Sequence, residues 1–230
     1  MNIQNIISMA KVLEGLGFDA VIGNQILKRV SFRPVEFTIH QQKLQGKDVI
    51  NFQLFFEKNR SENYSCVYYE AILRKEIEIP EAAIETIDVS ELENRMATIN
   101  WVSFLSIEQD KSFQKDDIHN WKKEETVESI VSDLMLLDSV VEGKECAFRL
   151  KMKYWCDTPV QEMIANVNLL RSKFEISQRF YLLEGQGGIS TEESYRYLNN
   201  RWLEKQLQAK RKQMDEVGKN EEIACSCNCS

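Results

Sequence analysis

Between Val35 and Leu73 the polarity of the chain alternates almost residue by residue, and this pattern restricts the fold more than any other feature of the sequence. Val35, Phe37 and Ile39 alternate with Glu36, Thr38 and His40; beyond Gly46-Lys47, Ile50, Phe52, Leu54 and Phe56 alternate with Asn51, Gln53 and Glu57. The polar turn Asn59-Arg-Ser-Glu-Asn63 follows, and Val67, Tyr69, Ala71 and Leu73 resume the pattern. A two-residue period puts one set of side chains on each face of a strand. Three such runs separated by short polar turns predict an antiparallel meander with one face on a core and the other toward water.

A one-sided sheet needs a cover, and amphipathic helices flank it. Ile6, Ile7, Ala10, Leu13 and Leu16 recur at helical spacing, Gly15-Leu-Gly17 breaks the run, and Val21, Ile22, Ile26 and Leu27 form a second stripe that Pro34 closes. Past Pro80, Ser90 and Glu93 have the spacing of a capping box, ahead of Leu92, Met96 and Ile99 on the inner face of a short helix. Residues 101–107 predict a strand, and the polar, aperiodic residues 108–123 a mobile connection. Val127, Ile130, Val131, Leu134, Leu137 and Val141 make a helix stripe, and Cys146, Phe148, Leu150, Met152 and Tyr154 a strand face. Thr158-Pro159-x-Gln161 combines a capping box with proline at the first helical position, leading into a stripe of Val160, Met163, Ile164, Val167 and Leu170. Residues 174–183 predict a strand and Gly185-Gln-Gly-Gly188 a turn. Ser190 with Glu193 then caps a last helix whose inner face is Tyr195, Leu198, Trp202 and Leu203, and whose end beyond Gln208 is solvated or frayed.

The expected class is therefore α+β: an antiparallel β-meander packed by amphipathic helices. It divides into a helix-plus-meander subdomain over 1–107, the polar connection 108–123, an α+β subdomain over 124–208, and a flexible, cysteine-containing tail over 209–230. At 230 residues either one large domain or two small ones can bury a core without disulfides or metals.

Composition narrows the function. A net charge of −7 and a pI near 5.1 disfavour a protein that coats nucleic acid over its whole surface, while leaving room for a local basic patch. No apolar run approaches the ~20 residues of a membrane helix, and the first fifteen residues lack the pattern of a signal peptide. Cys66, Cys146 and Cys156 are scattered, and three more cysteines crowd the last six residues, unlike a secreted disulfide framework. The expectation is a cytoplasmic protein with reduced thiols, no cofactor and no membrane partner.

Reactive residues form no constellation. His40 lies on the polar side of its strand; Asp116, Asp117 and His119 form a polar cluster whose metal-binding reading is weaker than plain solvation. Gly185, Gly187, Gly188 and Ser190 stand between a strand and a helix, where backbone amides can hold an anion, but the sequence lacks the Lys-Ser/Thr of a phosphate loop. Cys225, Cys227 and Cys229 could bind a soft metal, yet lack a second ligand pair. No nucleophile with a nearby base can be named.

Two basic stretches remain. Arg149, Lys151 and Lys153 are the outward set of the expected strand over 146–154. Between Arg196 and Lys212 six basic residues, among them Arg201, Lys205, Lys210, Arg211 and Lys212, face the single acid Glu204. Together they would follow a phosphate backbone, with Trp155 or Trp202 for stacking. The preferred expectation is a non-enzymatic module that presents this face to a protein or nucleic-acid partner; the alternative is a small enzyme or ligand binder using the Gly185 to Ser190 turn.

Leu16-Gly-Phe18, Glu36-Phe-Thr-Ile39, Leu54-Phe-Phe56, Tyr69-Glu-Ala-Ile-Leu73 and Gly185-Gln-Gly-Gly-Ile-Ser-Thr-Glu-Glu-Ser-Tyr195 carry a resemblance. In their order they are similar to uncharacterised proteins of conjugative or integrative elements of Bacteroidetes-type bacteria. The likeness covers about a third of the chain in separate pieces and departs between Asp88 and Phe174 and in the cysteine tail. It implies a bacterial cytoplasmic accessory role and carries over no catalytic residue.

Overall fold

The structure, a computed structural model, describes residues 3–103, 118–165, 167–182 and 187–227. In chain order its elements are α1 (Ile3–Gly15), α2 (Ile22–Val30), β1 (Glu36–Gln45), β2 (Asp48–Lys58), β3 (Tyr64–Arg74), β4 (Ala83–Ile84), β5 (Ile87–Asp88), α3 (Val89–Ala97), α4 (Ile118–Ser139), α5 (Lys144–Tyr154), a 3-10 turn (Pro159–Met163), α6 (Val167–Phe174), β6 (Glu175–Tyr181) and α7 (Thr191–Cys227). The class is α+β. The chain forms two compact units, one made of residues 1–75 with 175–230 and the other of residues 76–174. This partition differs from a division at 108–123; of that stretch, 108–117 lie outside the described residues and 118–123 open α4.

In the first unit β1, β2 and β3 form the meander and β6 joins it as a fourth antiparallel strand, in the order β1-β2-β3-β6. Gly46 and Lys47 make a two-residue hairpin turn between paired Gln45 and Asp48, and Gly46 adopts a φ of +65° that such a turn requires. In the second turn the Asn59 side chain accepts the amides of Ser61 and Asn63, each at 3.0 Å. The third strand departs from strict alternation. Phe55 pairs with Tyr68 but Phe56 with Cys66, so Val67 is an extra residue and Cys66, not Val67, enters the core. One face of the sheet carries Ile39, Ile50, Phe52, Leu54, Phe56, Tyr69, Ala71 and Leu73, and it packs with Ile6 and Leu13 of α1, Ile22, Ile26 and Val30 of α2, and Leu198 of α7. Each of these large side chains contributes roughly 1.5–3 kcal/mol by leaving water.

The second unit is mostly helical, with the two-stranded β4-β5 ladder beside it. Its core gathers Leu92 and Met96 of α3, Ile130, Leu134 and Leu137 of α4, and Ala147, Leu150 and Met152 of α5, together with Trp101, Trp155 and Val160. Four local expectations are corrected here. Residues 146–154, expected as a strand, belong to helix α5. Lys144–Tyr154 holds no β-branched residue and is rich in Lys, Glu, Ala, Leu and Met, so helix propensity overrides the apparent two-residue period. Burial on two sides, Ala147 and Leu150 on one and Met152 on another, is what hid the helical period. Asp88, not Ser90, caps α3, its carboxylate accepting the Ser90 and Glu91 amides. Pro159 opens a 3-10 turn, with the helix starting only at Val167, and the Gln161 side-chain oxygen accepts the Asp157 amide at 2.9 Å in place of a capping box. Residues 101–103 form a turn, and 104–107 of the expected strand lie outside the described residues.

Candidate functional site

On a strand Arg149, Lys151 and Lys153 would share a face; on α5 successive residues are ~100° apart, so Arg149 and Lys153 fall within about 40° of each other and Lys151 lies on the other side. Each meets an acid. Arg149 donates to Glu145 at 3.0 Å and to the Glu78 carbonyl at 3.0 Å; Lys151 pairs with Asp138 of α4; Lys153 reaches Glu93 of α3 at 2.6 Å. The Trp155 ring beside them is buried, 2% exposed, and packs on Trp101. This set ties the second unit together rather than forming a basic face.

The start of α7 is likewise occupied from within. Glu193 accepts the Ser190 amide and hydroxyl, both at 2.8 Å, while the Ser190 hydroxyl accepts the Glu193 amide at 3.2 Å, the reciprocal arrangement of a capping box. Those bonds, the Ser190 amide first, hold the Glu193 carboxyl below its ordinary 4.5. The Thr191 amide donates to the Leu16 carbonyl at 2.8 Å and the Ser194 amide to that of Ser190 at 2.9 Å. A carboxylate of the chain thus stands where an external anion would be held. Gly187 takes a φ of +75°, Gly188 is exposed, and Gly185 lies outside the described residues.

Further along α7 the cations face solvent. Arg201, Lys205, Lys210, Arg211 and Lys212 are all exposed. On an ideal helix Arg201, Lys205 and Lys212 fall within roughly 40° of one another, Arg211 about 80° to one side and Lys210 opposite. Arg201 donates to Gln178 of β6 at 2.9 Å and lies 5.9 Å from the Tyr197 ring; Tyr197 meets Phe180 of β6 edge-on at 5.8 Å. Arg201 thus reaches β6, an edge strand. Trp202 is turned inward and only 8% exposed, so it is not available for stacking.

The second face of the sheet carries the set that sequence reasoning missed. Thr38, Phe55, Tyr68 and Tyr181 are cross-strand neighbours in one row, and His40, Gln53, Glu70 and Arg179 in the next. Phe55 and Tyr68 have ring centroids 4.4 Å apart, Tyr68 and Tyr181 5.7 Å, and the Arg179 guanidinium sits 4.3 Å from the Tyr68 ring centre. Tyr181 is 61% exposed and Phe55 and Tyr68 half-buried. The Tyr181 hydroxyl, the largest influence, raises the Arg179 pKa above its ordinary value. The signal was three aromatic doublets, Phe55-Phe56, Tyr68-Tyr69 and Phe180-Tyr181: on a strand each doublet sends one ring to the core and one outward.

No protein-family model, curated protein or solved structure matches this chain.

Among the described residues no group of three His, Cys, Asp or Glu side chains is placed to hold a metal, and no helix is long and apolar enough to cross a membrane. His40 is exposed on the outer sheet face. Asp116, Asp117, Cys229 and the side chains of His119, Cys225 and Cys227 lie outside what is described, although α7 itself runs to Cys227. Cys66, Cys146 and Cys156 are buried free thiols, and burial pushes Cys66 up to about 12 and raises Cys146, the reverse of what a nucleophile needs.

Proposed function

We propose that this chain is a non-enzymatic binding module that engages an anionic partner, nucleic acid before acidic protein, through the exposed basic stretch of α7. The observation that carries this reading is the contrast between two sets of cations. Arg149, Lys151 and Lys153 of α5 are drawn into ion pairs within their own unit, whereas Arg201, Lys205, Lys210, Arg211 and Lys212 gather five exposed cations on one helix with Glu204 the single acid in that stretch. The buried, high-pKa Cys66 thiol and the internally filled start of α7 add support, because both remove groups that a reaction would use. We place the protein in the bacterial cytoplasm as a mobile-element accessory, on the strength of the resemblance alone.

The test is fluorescence anisotropy with labelled oligonucleotides and heparin over a range of salt. Binding is expected to weaken linearly in log-log form, with a slope of about 0.7–0.9 per phosphate neutralised. Reversing Lys205, Lys210, Arg211 and Lys212 to Glu should flatten that slope. Binding that ignores salt and this variant overturns the proposal, as does the absence of binding to any polyanion; an acidic protein as the sole ligand keeps the surface and changes its partner.

A further inference from the structure

The outer face of the first unit's sheet is a surface that the α7 reading leaves unused. Helices α1, α2 and α7 contribute to the core on the opposite face, which leaves Phe55, Tyr68 and Tyr181 in an unbroken row across β2, β3 and β6. Three adjacent aromatic rings on the non-core side of a sheet are a poor choice for a surface that only has to be soluble. Around them stand hydrogen-bonding groups. Gln42, Asn51 and Gln53 lie on the same face, with the Gln42 side-chain amide donating to the Asn51 side-chain oxygen at 2.9 Å, and Thr38, His40 and Ser177 complete the set.

Charge gives this face a direction. Glu36 and Glu57 are exposed and directly paired at the β1 side, while Arg179 is exposed on β6. Arg201, bonded to Gln178, comes over the same edge strand from the helix side, and Lys205 follows one turn later. A chain of anions would therefore run along β6 and avoid β1. Glu70, opposite Arg179, reduces but does not reverse this polarity.

We infer that this face is a stacking platform for single-stranded nucleic acid: bases on Tyr181 and on the Arg179 guanidinium layered over Tyr68, phosphates along β6 on Arg201 and Lys205. Flat rings, amides and a one-sided cationic rim are the combination that single strands require. Every base has a π-face, unstacked bases expose edges to Asn and Gln, and the backbone needs cations on one side only. A duplex would hide its bases and meet the acids of the β1 side. The inference deepens the proposed function and rests on it for the phosphate contacts, but its aromatic part can be tested separately.

The experiment compares eight- to twelve-nucleotide single strands with a duplex of equal charge and with heparin, using the full chain. Tyr181→Leu, Tyr68→Leu and the double variant are measured beside Tyr68→Phe, with circular dichroism as the check on folding. Single strands are expected to bind more tightly than duplex. Each Leu variant should weaken single-strand binding roughly 5- to 150-fold for the base at its position, leaving duplex and heparin binding as they were. Tyr68→Phe should bind as the parent does. Equal affinity for single strand, duplex and heparin, indifferent to these variants, overturns the platform and leaves the α7 reading standing. Loss of single-strand binding in the Leu variants with none in the α7 charge reversal overturns the α7 reading and keeps the platform. Self-association that the Leu variants abolish, without a single-strand preference, assigns the face to a second copy and overturns the inference.

Discussion

Thr191 Oγ1 lies 2.6 Å from where a Cβ on Gly17 would stand, and Gly17 has a φ of +93°. The start of α7 closes on the turn after α1 at this point. The Lys43 ammonium joins the two, bonding the Gly17 carbonyl and, at 3.3 Å, Thr191 Oγ1. Gly17→Ala meets both a left-handed backbone and a steric overlap, so it should destabilise the protein by at least about 2 kcal/mol. Gly15→Ala, with no atom within 4 Å and no positive φ, should be neutral or stabilise by up to about 1 kcal/mol. Urea midpoints of the two variants check the contrast.

The capping box at Ser190 and Glu193 predicts a pH dependence. The Glu193 carboxyl titrates below its ordinary 4.5 in the folded chain, so the unfolded state binds its proton first as pH falls. Its stabilisation is present above that ordinary value and is lost as pH drops through the folded pKa. Glu193→Gln should therefore lower the melting temperature at pH 7, and the difference from the parent should close toward pH 3. Thermal melts at both values decide it.

Asp48 is the buried acid of the first unit, 6% exposed, and receives the Lys75 ammonium and, at 3.1 Å, the Tyr195 hydroxyl. Removing the carboxylate takes an acceptor from each of these donors, although Lys75 keeps the Asn199 side-chain oxygen at 3.1 Å. Asp48→Ala should cost about 2 kcal/mol, less than a fully dry pair would because Lys75 is partly exposed. Asp48→Asn should recover part of that, since its amide oxygen still accepts from Tyr195. Denaturant titration of the three proteins gives the order.

Two tryptophans in the second unit make a matched pair. Trp101 donates its indole N–H to the Met96 carbonyl at 2.8 Å, whereas the buried Trp155 N–H has no acceptor among the described residues. Trp101→Phe removes a bond and leaves a buried carbonyl with one partner fewer, at about 1–2 kcal/mol beyond the packing loss. Trp155→Phe loses packing alone and should be the milder change, as paired unfolding curves will show.

The Cys66 thiol, pushed up to about 12 by burial, should resist alkylation at pH 8 in the native protein. Peptide mass spectrometry after brief iodoacetamide treatment should find Cys66 modified only when urea is present; native modification would mean that the strand opens readily.

The meander, the helices before it and the caps of α7 were legible because each depends on neighbours close in sequence. A two-residue period, Gly46 at a hairpin and Ser190 three residues from Glu193 carry their own geometry. Tertiary structure decided the rest. Helix α5 could not be told from a strand by period, since Leu150 and Met152 are both buried when neighbours pack on two sides. That Lys151 and Lys153 are neutralised depends on where α4 and α3 lie, whereas the Arg149–Glu145 pair follows once the segment is a helix. The pairing of β6 with β3, including the Arg74–Glu175 ion pair across 101 positions, follows from no local signal. Yet that pairing sets Tyr181 beside Tyr68 and completes the aromatic row. The sequence by itself determined that each doublet sends its two rings to opposite faces, because side chains alternate along a strand; only the tertiary structure aligned the three strands into one surface, because register between distant segments is chosen by the core they share.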